Sequence, residues 1–143
     1  TGKGKSHLAY GIVKKHLLLG KQCDFVTVRG LINRFRMTKP EEETELIDLM
    51  IKTDVLVIDD FGRITNSDFA LDILNDILDK RSLHNKNGLI VTSNLFLEDF
   101  ARKNNDDRIS SRIGGLCKII ELTSKYDYRL ESRVRVNDSN EGG

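Results

Sequence analysis

An uninterrupted apolar segment that ends in two acids constrains the fold of this chain more than any other feature. It runs from Val55 to Ile58 and is followed at once by Asp59 and Asp60. A strand without polar alternation is covered on both faces, as central strands of parallel sheets are when helices pack on either side. We therefore expect an α/β fold in which this segment is a central strand.

Other parts of the chain alternate between short apolar segments and longer helical patterns. The predicted strands, besides the central one, cover 25–28, 89–92 and 117–122. The predicted helices cover 5–19, 31–37, 41–51, 67–83, 97–103 and 106–113. Gly20 follows the first helix where a C-terminal cap glycine belongs. The pattern predicts one domain of four parallel strands joined by crossover helices.

Length and composition indicate one folded domain of ordinary chemistry. The chain has 143 residues, of which 38% are hydrophobic and 31% charged. Its net charge is +1, so binding to a nucleic acid would need a local basic patch. No apolar run reaches the length of about 18 residues that a membrane span needs, and the polar opening is unlike a signal peptide. We expect a cytoplasmic protein without a membrane partner.

The opening of the chain carries the end of a phosphate-binding pattern. Gly4-Lys5-Ser6 lies at the start of the first predicted helix and matches the close of G-x-x-x-x-G-K-[ST], whose first glycine would lie before Thr1. Backbone N–H groups from residues 2–6 would surround a β-phosphate at the helix N-terminus. Lys5 would bridge the β- and γ-phosphates, and the Ser6 hydroxyl would coordinate Mg²⁺. The alternative is a chance Gly-Lys-Ser sequence in a flexible terminus.

The two acids after the central strand form a Walker-B arrangement. Asp59 would hold Mg²⁺ through water, and Asp60 would polarise the attacking water. Taken alone, the pattern is also that of a strand followed by an acidic turn. Both motifs in this order, with another strand between them, predict a nucleoside-triphosphate site.

Two later segments add polar candidates. Asn94 follows the strand at 89–92 and would face the γ-phosphate, since ligands of open α/β sheets bind at the carboxyl ends of strands. Arg108 and Arg112 lie four residues apart on one face of a predicted helix. An arginine offered to a neighbouring subunit would stabilise transition-state charge. The alternatives are an ordinary strand end and an exposed helix with solvated charges.

In combination these motifs resemble the AAA+ ATPase core of the bacterial and phage helicase loaders, the DnaC/DnaI family, with the IstB transposition helpers as close relatives. The resemblance rests on segments 1–9, 57–62, 92–94 and 108–113. It implies a three-layer P-loop fold with sheet order 5-1-4-3-2, whose first strand would precede Thr1 and is missing from this chain. Residues 1–136 would form the ATPase core, truncated at its N-terminal end and with a reduced lid, and 137–143 a disordered tail.

The resemblance also implies roles for individual residues. The nucleotide, ATP or ADP, would contact Gly2, Lys3, Gly4, Lys5, Ser6 and, near the base, His7. Asn94 would be the first sensor, Arg112 the arginine finger acting on a neighbouring subunit, and Arg108 a second candidate for that finger. Arg129 would be a second sensor, although a Tyr-Arg pair is also ordinary surface. The family often has Asp-Glu at the Walker-B pair, so the shorter Asp60 predicts slow hydrolysis.

The basic segment at 29–39 is a candidate DNA contact. It lies between the second and third strands of the family order. Arg34 and Arg36 would follow the phosphate backbone of single-stranded DNA. The alternative is that Leu31, Ile32 and Phe35 pack on the sheet while the arginines are solvated, and we expect Phe35 to pack. In the same order Cys23 and Cys117 lie at opposite edges, which predicts two free thiols.

The resemblance implies an ATP-dependent helicase loader in DNA replication. It would self-associate, bind ATP and Mg²⁺ at subunit interfaces, contact a replicative DNA helicase and single-stranded DNA, and release the helicase on hydrolysis. One alternative is an IstB-like transposition helper with the same site and a different partner. Another is a non-hydrolysing AAA+ fragment that acts as an interaction module.

Overall fold

A computed structural model describes residues 4–64, 67–84 and 87–123 of the chain. The strands are β1 (Cys23–Thr27), β2 (Val55–Asp59) and β3 (Gly88–Val91). The α-helices are α1 (Lys5–Leu18), α2 (Val28–Met37), α3 (Glu43–Lys52), α4 (Asp68–Ser82), α5 (Leu97–Asn104) and α6 (Arg108–Leu116). Short 3-10 turns cover Pro40–Glu42 and Phe61–Arg63. The predicted alternation of strands and helices is confirmed over these elements, which end at residue 116.

The strands form a parallel sheet with β2 at its centre. Val57 of β2 lies opposite Phe25 of β1 on one side and Ile90 of β3 on the other. Every residue of β2 is buried, as expected from its unbroken apolar sequence. The order β1-β2-β3 corresponds to strands 2-3-4 of the order that the resemblance implies.

Successive side chains of β2 serve two separate cores, because strand residues alternate between faces. Val55 and Val57 pack with Ala9 and Val13 of α1 on one face. The other face, which includes Leu56, forms the larger core with the remaining α-helices. Helices therefore cover both faces, and the three-layer prediction is confirmed.

Local capping explains where several elements begin and end. The Thr27 hydroxyl accepts a hydrogen bond from the Gly30 N–H at 3.0 Å and caps α2. Val28 is consequently the first residue of a helix, and the prediction that extended β1 to residue 28 was wrong at that residue. Gly20 has φ +74° after α1, the left-handed conformation expected of a terminating glycine.

The predicted strand at 117–122 is absent: residues 117–123 contain no strand. Within the described residues, the sheet consists of β1, β2 and β3, and none of these strands pairs with this segment. Without a neighbour to complete the ladder, backbone N–H and C=O groups gain nothing from strand geometry. Ile119 and Ile120 are accordingly exposed, at 65% and 70%.

Cys23 and Cys117 are both free, as predicted. Cys23 belongs to edge strand β1, whereas the Cys117 Sγ lies 3.8 Å from the Leu89 carbonyl of β3. Within the described residues, no helix is both long and apolar enough to span a membrane.

Candidate nucleotide site

The N-terminus of α1 begins directly after a glycine. Gly4 caps the helix in the left-handed conformation, with φ 80° and ψ 11°, which glycine adopts readily. The first helical hydrogen bond runs from the Leu8 N–H to the Gly4 carbonyl at 2.8 Å. Among the described residues, no carbonyl lies one turn back for the amides of Lys5, Ser6 and His7, and the first turn holds no acidic residue. Such a terminus favours an anion.

The predicted phosphate-loop residues divide between described and undescribed positions. Lys5 is half-buried, whereas Ser6 and His7 are exposed at the start of α1. Gly2 and Lys3 lie outside the described residues, as do Arg129 and the tail at 137–143.

The two predicted magnesium-binding residues are in contact. The Ser6 hydroxyl donates a hydrogen bond of 2.8 Å to Oδ1 of Asp59, although 53 positions separate them in the sequence. Asp59 is the last residue of β2 and only 8% exposed. A hydroxyl and a carboxylate are oxygen donors of the kind that Mg²⁺ prefers, and these two lie at the N-terminus of α1 and the end of β2. These residues therefore fit a magnesium ion.

The buried Thr92 contacts the same carboxylate of Asp59. The Thr92 hydroxyl, directly after β3, donates to the same Oδ1 of Asp59 and accepts from the Asp60 N–H at 3.1 Å. Sequence reasoning named the segment at 92–94 but gave a role only to Asn94. The signal that could have revealed Thr92 is a hydroxyl residue directly after β3, next to the strand that ends in Asp59.

Asp60 and Asn94 lie at the same edge of the sheet. Asp60 has φ +61°, an uncommon conformation for a residue with a side chain, though Asp tolerates it better than most. Its Oδ2 lies 3.0 Å from Nε of Arg63. Asn94 is exposed in the loop after β3, two residues beyond the Thr92 hydroxyl that binds the Asp60 amide.

Both candidate arginine fingers form ion pairs within their own chain. Arg112 donates to Asp79 and to Asn75 of α4. Arg108 pairs with Asp106, with Nη2 2.7 Å from Oδ2. The Arg108 hydrogen bond lowers the pKa of the Asp106 carboxyl. Their described hydrogen bonds thus go to neighbouring acids and to Asn75, not to the Ser6–Asp59 pair.

The candidate DNA-contacting arginines lie on the outer side of α2. Leu31, Ile32 and Phe35 are buried, so the expectation that Phe35 packs is confirmed. Arg34 is exposed, with Nη1 3.1 Å from Oδ2 of Asp24. The guanidinium of the exposed Arg36 lies 5.9 Å from the ring centroid of Phe69, within cation–π range.

A three-layer parallel α/β fold with a glycine-capped helix N-terminus and an acid at the end of its central strand defines a P-loop nucleotide-binding domain. A family model described as IstB-like ATP binding protein matches residues 1–135. The chain belongs to that family.

Individual relatives agree with this assignment. The chain is 37% identical over 99 residues to the replicative helicase loader DnaC of Escherichia coli K12, a match that covers 66% of this chain and 40% of the relative. The matched part of the chain thus spans 40% of that relative's length.

Solved structures show the fold. A crystal structure of the DnaC helicase loader matches with a TM-score of 0.73 and 24% identity, covering 85% of this chain and 73% of that one. A replication initiator DnaA bound to AMPPCP and single-stranded DNA matches with a TM-score of 0.79 and 17% identity, covering 98% and 43%. The predicted AAA+ fold is confirmed by these neighbours.

Proposed function

We propose that this chain is the ATP-binding part of a helicase loader, and that ATP and Mg²⁺ bind at the N-terminus of α1. The observation that carries the proposal is the contact between Ser6 and Asp59 at 2.8 Å. It joins the end of a phosphate-binding pattern to the acid of the central strand. Family membership and the 37% identity to a helicase loader support the same function.

The residues divide the chemistry between them. The amides of the first turn of α1, together with Gly2 and Lys3, bind phosphate oxygens, and Lys5 adds positive charge between the β- and γ-phosphates. His7 lies near the base, and Arg129 serves as a second sensor. Ser6 and Asp59 hold the magnesium ion, which neutralises charge that develops on the phosphates. Asp60 and Asn94 orient the attacking water, and the short Asp60 side chain keeps turnover slow.

Hydrolysis in this proposal needs a second subunit. Arg112 enters the neighbouring subunit's site and stabilises charge on the γ-phosphate, with Arg108 beside it as the second candidate. Arg34 and Arg36 on α2 contact the backbone of single-stranded DNA. ATP thereby closes an assembly of AAA+ subunits on DNA, and hydrolysis frees the replicative helicase in the cytoplasm.

Helicase loading on a single-stranded DNA circle tests the proposal. Purified protein, ATP and the replicative helicase of the source organism are combined, and bound helicase is measured after gel filtration. We expect ATP-dependent loading by the unchanged protein. Arg112→Ala should keep ATP binding and lose DNA-stimulated turnover by about a thousandfold, the lower end of what such arginines contribute. Arg102→Ala, an exposed arginine of α5, is the matched control.

The second candidate is an IstB-like helper that delivers a transposase, a role implied by the resemblance to the IstB transposition helpers. The matching family model is described as IstB-like ATP binding protein. Replacing the helicase by the cognate transposase in the same assay separates the two functions. ATP-dependent recruitment of the transposase without helicase loading would favour the helper. Binding of either partner without any ATP turnover would favour a non-hydrolysing interaction module.

A further inference from the structure

The guanidinium of Arg112 is held by two residues one turn apart on α4. Its Nε donates to Oδ1 of Asp79, its Nη2 donates to Oδ2 of Asp79 at 2.9 Å, and its Nη1 donates to Oδ1 of Asn75 at 3.2 Å. A guanidinium has five N–H groups. These bonds occupy one on each nitrogen and leave one N–H free for a ligand on each terminal nitrogen.

The Asn75 amide accepts a hydrogen bond from Arg112 but leaves its own N–H group without a partner among the described residues. Asn75 is 8% exposed, and the unpaired group is its Nδ2. Because arginine can only donate, the Asn75 amide has to turn its oxygen toward Arg112. An unpaired buried donor is unfavourable by about 1–3 kcal/mol. A purely structural contact would be better served by a residue without that orphan N–H group.

The helix that carries Arg112 is itself anchored. Ile109 and Ile113, on either side of Arg112 in α6, are 0% and 4% exposed in the main core. The Arg112 side chain remains 30% exposed and that of Asp79 52%. The backbone of α6 is thus fixed by packing, while the direction of the guanidinium is set by α4 at the surface.

We propose that Asn75 and Asp79 are positioning residues that orient Arg112 for the γ-phosphate bound by a neighbouring subunit. This inference rests on the proposed role of Arg112 as a finger acting between subunits. A free arginine side chain samples many rotamers, whereas the Asn75–Asp79 pair restricts the guanidinium to one direction before the subunits meet. Small misplacements of a catalytic group are expensive in rate, by up to about a hundredfold for 1 Å.

A subunit-mixing experiment isolates the finger from the nucleotide site. Arg112→Ala subunits keep an ATP site but lack the finger, and Lys5→Ala subunits keep the finger but lack the Lys5 contact to phosphate. Mixed with single-stranded DNA and ATP, the two should restore turnover. Replacing Lys5→Ala by Lys5→Ala/Asp79→Ala should reduce the restored kcat by about tenfold or more, with the KM for ATP unchanged.

Two further variants control for the nonspecific effect of removing a carboxylate from α4. Lys5→Ala/Asp76→Ala removes a carboxylate that pairs with Lys80 at 2.8 Å on the same helix, and it should complement as well as Lys5→Ala alone. Lys5→Ala/Asp79→Asn keeps an acceptor for Arg112 and should recover part of the activity. Thermal melts and gel filtration establish that each variant folds and assembles.

The outcomes distinguish the positioning role of Asp79 from the finger role of Arg112. If Lys5→Ala restores turnover and the Asp79→Ala form restores it equally well, the positioning role is wrong and the finger stands. If Lys5→Ala restores nothing, Arg112 does not act between subunits, and the positioning role is wrong with it. A loss of kcat confined to the Asp79 variants supports the inference.

Discussion

At the scale of single residues, one carboxylate oxygen of the candidate site accepts hydrogen bonds from two hydroxyls. Oδ1 of Asp59 accepts from both Ser6 and Thr92. The sequence predicted Ser6 from the spacing of the phosphate-binding pattern and Asp59 from its place directly after an apolar strand. It did not predict the role of Thr92, because that role depends on the alignment of β3 beside β2, where Val91 lies opposite Ile58. Motif spacing carries no information on alignment between strands.

Thr92→Val should weaken magnesium binding. The substitution keeps the side-chain volume and removes the hydroxyl that fixes Asp59. Loss of such an outer partner costs about tenfold to a hundredfold in metal affinity. The measurement is the Mg²⁺ concentration that gives half-maximal binding of a fluorescent ATP analogue.

Thr53→Val is the matched control for that change. Thr53 is equally buried, at 7%, and its hydroxyl donates to the Gln22 carbonyl at 3.2 Å, away from the site. Both variants should lose about 1 kcal/mol or more in the free energy of unfolding. An identical Mg²⁺ dependence in the two variants would show that Thr92 has no special role at Asp59.

At the scale of elements, one arginine joins a helix end to a strand. Arg81 of α4 is 3% exposed and donates to the carbonyls of Met50, Ile51 and Thr53 at the end of α3. It also donates to the Gly88 carbonyl of β3 at 2.6 Å. The negative end of the α3 dipole favours a cation there, although burial lowers the Arg81 pKa.

Arg81→Met should destabilise the fold strongly. The change leaves buried carbonyls without their donor, and we expect a loss of about 3 kcal/mol in the free energy of unfolding. Urea unfolding followed by circular dichroism measures it. Arg102→Met is the control, since the Arg102 side chain is 78% exposed and a surface ion pair contributes at most about 1 kcal/mol. Equal losses in the two variants would contradict the role given to Arg81.

The predictions of helices and strands were right where the local sequence determines the structure. They were wrong where a pairing partner determines it. The helices followed from apolar periodicity, and the end of α1 from Gly20. The Thr27 cap, which starts α2 at Val28, was not predicted. The segment at 117–122 has the composition of a strand, but composition does not supply a pairing partner. The contacts of Arg112 could not be predicted for a similar reason. Its spacing from Arg108 does not indicate that Asn75 and Asp79 of α4 bind its guanidinium.

At the scale of the whole molecule, the sheet and its two helical layers were predictable from one strand. The unbroken apolar run of β2 required cover on both faces, and α1 provides it on one side. The sheet order followed from the family resemblance, not from the residues. The carboxyl ends of β2 and β3 bring Asp59, Asp60, Thr92 and Asn94 to one edge, where α1 begins. That convergence is the basis of the proposed ATP site.

Titration of purified protein with a fluorescent ATP analogue and Mg²⁺ tests this site most directly. Wild type is compared with Lys5→Ala and with Lys14→Ala, an exposed lysine of the same helix. A lost hydrogen bond to a charged group is worth about 1.5–3 kcal/mol, so Lys5→Ala should bind about tenfold or more weakly. Lys14→Ala should bind as wild type does. Equal affinity of wild type and Lys5→Ala would contradict a phosphate-binding site at the start of α1.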